Sequence, residues 1–213
     1  MIGNEDDLPY QRPPLSKKFL TGEVQNERLL FRQNDYFQKK DIEFIGSNEV
    51  TSVDLADQTI SIKGQSLRYA KLALATGTRI RPFSCPGSEE ADIHYIRSIA
   101  DGIKLRESLK SSKKLLVIGG GFIGLEVAAV GRQLGLEVHV VESATRLMSR
   151  VVAAQISDYY ADYHRNQGVN LHLGDKVMSI ETKQGDDSRV FLEKGGEVRA
   201  DLIVAGILSL IHI

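Results

Sequence analysis

The spacing of apolar residues along the chain changes period several times, and each change predicts an element. Residues 115–118 are four consecutive apolar residues, which predicts a parallel strand buried on both faces. Ile123, Val127, Val130 and Leu134 then recur at helical spacing, and Gly135 stands where such a helix ends. Residues 137–141 predict a second strand. Residues 151–167 predict a helix with Ile156, Tyr160 and Tyr163 on its apolar face, and residues 169–173 a third parallel strand. Short alternating runs at 176–182, 189–193 and 197–199 predict an antiparallel meander, with a last buried strand at 201–206. Upstream, residues 42–45 predict a short strand. Residues 49–54, 59–62 and 67–69 predict another meander, and residues 71–77 a buried strand ending in glycine. A connecting helix is predicted from His94 onward, with Ile99, Ile103 and Leu109 on its apolar side. The charged stretch after it predicts a domain boundary near residue 110.

Composition narrows the class of partner. The 213 residues are 42% hydrophobic and 26% charged, with a formal net charge of −1. That balance gives no electrostatic case for nucleic acid or a membrane surface. No apolar run is long enough for a spanning helix, and no signal peptide opens the chain. Cys85 is the single cysteine, so no internal disulfide framework exists and a reducing, cytoplasmic setting is expected. The five histidines are scattered, and no metal site is expected.

The candidate chemistry begins at the first strand's end. Gly119, Gly121 and Gly124 follow it in Gly-x-Gly-x-x-Gly spacing, and Glu142 closes the next strand about 20 residues on. Gly119 permits the tight turn, Gly121 leaves room for a pyrophosphate, and Gly124 lets the helix lie close to the strand. Phe122 and Ile123 open the helix, whose N-terminus offers unpaired N–H groups and partial positive charge. Glu142 is placed to accept from both ribose hydroxyls and to repel a 2′-phosphate, favouring NADH over NADPH. Arg146, four residues on, is placed to soften that preference. Upstream, Arg12, Lys17 and Lys18 cluster in a proline-stiffened loop, which on composition reads equally as a pyrophosphate site or a solvated turn. A short helix is predicted to open there and run to Leu20. Glu126, a carboxylate in an otherwise apolar helix, calls for a cationic partner, or is simply an acid favoured in a first turn.

Residues 9–17, Pro-Tyr-Gln-Arg-Pro-Pro-Leu-Ser-Lys, resemble the loop of FAD-dependent ferredoxin reductases that serve oxygenase systems, within the wider two-dinucleotide-domain flavoprotein superfamily. Ala75, Thr76 and Gly77, followed by Arg79, Arg81, Pro86 and Gly87, are similar to its second FAD signature, and the resemblance runs from residue 2 to about Ile207. It implies an α/β fold of two Rossmann-like dinucleotide-binding domains, each with a parallel sheet and a small antiparallel meander. Residues 1–110 then form an incomplete FAD-binding domain and residues 111–207 an NAD(H)-binding domain. Read through it, Glu5 holds the FAD adenosine ribose, Arg12 the diphosphate, Val50 the adenine, and Lys17 the reactive nitrogen of the flavin. Val50 reads equally as an edge-strand valine. Glu126 faces the nicotinamide and pairs with Lys17, while Arg150 and Gly206 join the NAD(H) contacts. The implied activity is electron transfer from NADH through FAD to an iron–sulfur ferredoxin or a rubredoxin. NADH oxidases, nitrite reductase subunits and apoptosis-inducing-factor-like proteins are related alternatives, and a non-catalytic NADH-binding module is one of another class. A disulfide reductase needs two cysteines near the flavin, and residues 12–20 hold none.

The first FAD glycine loop and the C-terminal Gly-Asp motif of that family are absent, so the chain reads as an interior fragment. Residues 208–213 depart from the family and are expected to be a non-native tail, the translation of a sequencing-adapter end.

Overall fold

The computed structural model describes residues 1–183, 187–207 and 211–212. Part of the predicted tail, residues 208–210 and 213, therefore lies outside the described residues. The chain divides into two compact units, one of Met1–Arg12 with Gln25–Thr78, the other of Pro13–Val24 with Arg79–His212.

The first unit carries two short helices, α1 (Asn26–Leu29) and α2 (Asn34–Lys39), and a meander of β1 (Val50–Asp54), β2 (Thr59–Ile62) and β3 (Gln65–Arg68) in antiparallel order. The meander follows the alternation in its sequence: Ile60 and Ile62 turn inward on β2 while their neighbours do not. The apolar segments on either side of it behave otherwise. Residues 42–45 form no strand; a single parallel bridge joins Ile2 to Ile45. Residues 71–77 are irregular and exposed, with Leu74 at 70%. A parallel strand is stable only between hydrogen-bonding neighbours, and among the described residues none pairs with this segment.

The chain enters the second unit a first time at residues 13–24, where Pro13–Ser16 makes one turn of 3-10 helix in place of the longer helix expected to Leu20. It returns at Arg79, within β4 (Thr78–Arg79), and continues through β5 (Ile93–His94), α3 (Ile99–Ser111), β6 (Lys114–Ile118), α4 (Phe122–Gln133), β7 (Glu137–Glu142), α5 (Ala154–Asn166), β8 (Val169–Leu173), β9 (Val177–Glu181), β10 (Ser188–Leu192), β11 (Glu197–Ala200) and β12 (Leu202–Ala205). His94 thus belongs to a strand. The helix starts later, at a capping box in which Ser98 and Asp101 exchange side-chain-to-backbone hydrogen bonds.

Five strands form a parallel sheet in the order β5-β12-β6-β7-β8. Its two faces explain the uninterrupted apolar runs. Toward α4, a side chain on Gly131 would meet Leu115 at 2.6 Å and Val138 at 3.1 Å. On the other face Leu116, Ile118, Val141 and Ile203 pack against the antiparallel meander β11-β10-β9 through Val177, Ile180, Val190 and Leu192. A sheet covered on both sides needs apolar residues at consecutive positions. Helix α5 departs from expectation. It buries Ser157, Ala161 and His164, whereas Ile156, Tyr160 and Tyr163 face solvent at 46%, 36% and 51%.

Candidate dinucleotide site and its ion pair

The turn between β6 and α4 is made of backbone, and each glycine in it has a distinct reason. Gly119 has a φ of +108°, open to glycine and costly for other residues. A Cβ on Gly124 would lie 2.0 Å from the carbonyl oxygen of Gly119, and one on Gly206 would lie 2.8 Å from Cα of Gly124. These three glycines let helix, turn and the end of β12 touch backbone to backbone. Gly121 differs: it is the N-cap of α4, has no side-chain cap, and a Cβ there would meet nothing within 4 Å. Open space therefore lies at the N-terminus of a twelve-residue helix, where N–H groups and the dipole favour an anion. Phe122 borders that end at 53% exposure, and Ile123 is half-buried.

Gly120 lies between these glycines and was not singled out by the spacing rule. Its N–H donates to Glu142 Oε2 at 2.7 Å, and its carbonyl accepts from the Met148 N–H at 3.0 Å. A Cβ there would meet Leu147 at 2.6 Å. Gly120 occupies a position the motif leaves free, so the spacing carries no signal for this requirement.

Glu142 accepts from Gly120 and, through Oε1, from the Ala144 N–H at 2.7 Å. The Ser143 hydroxyl also donates to Oε1, at 3.3 Å, and since an ionised carboxylate has about four acceptor positions, capacity for a ribose hydroxyl remains. Arg146, expected to soften the preference of this acid, is turned to its own loop instead. Its guanidinium donates to the carbonyls of Ser149 and Val152, each at 2.8 Å, and to Ser157 Oγ at 2.9 Å. Ser157 in turn donates to the Leu147 carbonyl. Arg146 thus braces the loop that carries Leu147 and Met148 onto Gly120. Arg150, in the same loop, is exposed.

Glu126 sits in the first turns of the same helix with its side chain 26% exposed. Lys17 Nζ lies 2.9 Å from Oε1. Ser16 Oγ donates to Oε2, a contact the motif gave no means of anticipating. Lys17 also donates to the Pro13 carbonyl at 3.1 Å. All of these residues belong to the second unit. The structure therefore brings Lys17 and the helix carboxylate Glu126 together, as expected, and adds the Ser16 hydroxyl.

In the first unit Glu5, Tyr10 and Arg12 form one cluster. Tyr10 and Arg12 both donate to the Glu5 carboxylate, and the Arg12 guanidinium lies over the Tyr10 ring. Burial and the neighbouring Glu5 and Asp6 raise the Asp7 carboxyl above its usual range. Val50 is exposed at the start of β1, and Ala75, Thr76 and Gly77 lie in the exposed irregular segment, with a φ of +66° at Gly77. Cys85 is half-buried against the sheet–meander core, and burial raises its thiol above the ordinary value, which suits a packing residue. Among the described residues no cluster of histidine, cysteine or carboxylate side chains fits a metal ion, and no helix is long and apolar enough to cross a membrane.

A parallel sheet, a glycine turn opening a helix and an acid at the end of the next strand define a dinucleotide-binding α/β protein. The chain belongs to the pyridine nucleotide-disulphide oxidoreductase family, whose model matches residues 1–207. It is 36% identical to a rubredoxin-NAD(+) reductase of Pseudomonas putida over 208 residues, 97% of this chain and 54% of that protein. It is 37% identical to rhodocoxin reductase of Rhodococcus erythropolis, covering 97% of this chain and 49% of that one. Among solved structures, the ferredoxin reductase of Rhodopseudomonas palustris superimposes with a TM-score of 0.91 at 40% identity, covering 97% of this chain and 51% of that one. The covalent putidaredoxin reductase–putidaredoxin complex gives a TM-score of 0.91 at 34% identity, over 97% of this chain and 51% of that chain. The chain spans about half the length of the relatives it matches.

Proposed function

We propose that the whole protein is an NADH-dependent flavoprotein reductase that delivers electrons to a ferredoxin or rubredoxin, working in the cytoplasm. The observation that carries the reading is the Lys17–Glu126 ion pair, 2.9 Å long, on the helix that opens at the glycine turn. Residues 111–207 are proposed as the NAD(H)-binding domain and residues 1–110 as the FAD-binding part. The relatives named as reductases of rubredoxin and rhodocoxin, and the complex with putidaredoxin, support this acceptor class.

The residues fit both groups. The space at Gly121 and the uncapped start of α4 suit a pyrophosphate, with Phe122, Ile123 and Gly124 supplying backbone and Glu142 the ribose contact. Gly119 and Gly206 hold that turn against the sheet, and Arg150, exposed in the loop after β7, is a further proposed NAD(H) contact. Glu5 keeps acceptor positions beyond those used by Tyr10 and Arg12, which suits the FAD ribose. Arg12, Val50, Ala75, Thr76 and Gly77 complete the proposed FAD contacts. When bound, FAD supplies the two-electron to one-electron conversion between NADH and an iron–sulfur acceptor. Lys17 places a cation where negative charge would develop, and Glu126 keeps that cation oriented toward the nicotinamide side.

The test uses purified protein under anaerobic conditions. A yellow protein whose flavin absorbance bleaches with NADH is expected, with bleaching slowed at least about tenfold, or ~1.4 kcal/mol, in Lys17→Met and Glu126→Gln. A colourless protein that still binds NADH would instead identify a nucleotide-binding module and reject the reductase reading for this chain.

A further inference from the structure

Two groups hold the Glu126 carboxylate, and they differ in how firmly they are themselves held. Lys17 is a long side chain, 50% exposed, reaching Oε1 from a flexible stem. Ser16 is 4% exposed, and its hydroxyl reaches Oε2. Its position follows from the turn that carries it. Pro13 and Pro14 fix two backbone angles, and the Lys17 and Phe19 N–H groups both donate to the Pro14 carbonyl, at 3.0 and 3.2 Å. Leu15 and Phe19, 1% and 0% exposed, bury that turn on both sides of Ser16. Phe19 lies so close to α3 that a Cβ on Gly102 would stand 2.8 Å from its ring.

A carboxylate's last torsion is broad and two-fold, so a single mobile ammonium does not fix its plane. A short hydroxyl on a buried turn does. We infer that Ser16 is a positioning residue, whose hydroxyl orients the Glu126 carboxylate so that one oxygen faces Lys17. The inference deepens the proposed function, but its geometry and its test do not require flavin.

The test is the rate at which an amine-reactive acetylating reagent labels Lys17 in the whole chain, read by peptide mass spectrometry. Ser16→Ala should raise that rate by about threefold to tenfold, the loss of one charge-assisted hydrogen bond. Glu126→Gln should raise it at least as far, and Ser16→Thr, which keeps the hydroxyl, should return it toward wild type. Lys39 and Lys104, paired with Asp35 and Asp92 elsewhere, serve as references and should not change. If Ser16→Ala does not fold, Ser16→Cys keeps the size with a weaker donor and must show the same rise. Unchanged labelling at Lys17, Ser16→Thr labelling as fast as Ser16→Ala, or a rise shared by Lys39 and Lys104 overturns the assignment. Failure of NADH to bleach flavin would reject the proposed function and leave this result standing.

Discussion

Alanine at two neighbouring glycines should separate folding from binding. At Gly124 the added Cβ would stand 2.0 Å from the Gly119 carbonyl oxygen, where ordinary contact begins at 3.4 Å. The obstacle is backbone at the end of a central strand, so α4 must move by about 1.4 Å to restore ordinary contact; overpacking of this kind costs about 1–3 kcal/mol, and the absence of a yielding side chain argues for the top of that range. Alanine's better helix propensity returns about 1 kcal/mol. The net loss is about 2 kcal/mol, or roughly thirtyfold in the folding equilibrium, read as a lower urea midpoint. At Gly121 the Cβ meets nothing within 4 Å, and its φ of −82° is open to alanine. Stability there should change by less than about 1 kcal/mol, because a poorer N-cap is offset by a less flexible unfolded chain. The methyl group would instead occupy the proposed pyrophosphate space, and NADH affinity should fall at least about tenfold, ~1.4 kcal/mol. Calorimetric titration with NADH and urea denaturation on both variants make the comparison. A Gly121→Ala protein that binds NADH normally, or a Gly124→Ala protein as stable as wild type, would refute the reasoning.

Other consequences can be measured on the same protein. Arg146→Met removes three donors from the loop that holds Gly120, so it should cost about 2 kcal/mol and weaken NADH binding severalfold; equal losses of NADH and NADPH affinity would confirm a bracing role. Glu142 should make NADPH bind at least about tenfold more weakly than NADH by like-charge repulsion, and Glu142→Gln should narrow that gap, as competition titrations would reveal. Burial lowers the pKa of His94, His164 and His172 from 6.5, with His139 adding to the effect at His172. The unfolded chain therefore takes up these protons first, and stability should fall as pH drops below 6.5 and level off once the folded-state values are passed. A urea midpoint that stays flat from neutrality to about pH 5 would contradict this. Glu197 acts at lower pH: Arg189 holds its carboxyl down to about 2, so its contribution is complete above 4.5 and is lost as pH falls through about 2. Arg189→Met should shift that acid limb upward in a pH-titrated melting series.

Where the sequence was legible, one physical requirement left one pattern. Residues 115–118 had to be apolar throughout because both faces of β6 are covered, and the glycine spacing had to hold because helix and turn meet through backbone. Where it misled, two solutions shared a pattern. The tyrosines of α5 repeat with helical period, yet the helix buries its small side, because Ser157 must reach Arg146 and the Leu147 carbonyl. Periodicity reveals that a helix has two faces and does not say which is inside when the larger residues tolerate water. Residues 71–77 read as a strand because composition cannot report whether a partner strand lies alongside. Ser16 carried no signal, since one hydroxyl beside a lysine becomes meaningful only when a carboxylate 110 positions away arrives against it.

The outward tyrosines of α5 have an optical consequence. The chain contains no tryptophan and seven tyrosines, and Tyr159, Tyr160 and Tyr163 share the outer side of this one helix. Three of the seven emitting tyrosines are therefore open, on one helix, to a dissolved quencher such as iodide. The longer-wavelength window in which reduced nicotinamide fluoresces stays free of indole background, so the proposed NADH binding can be followed by light on the unmodified chain.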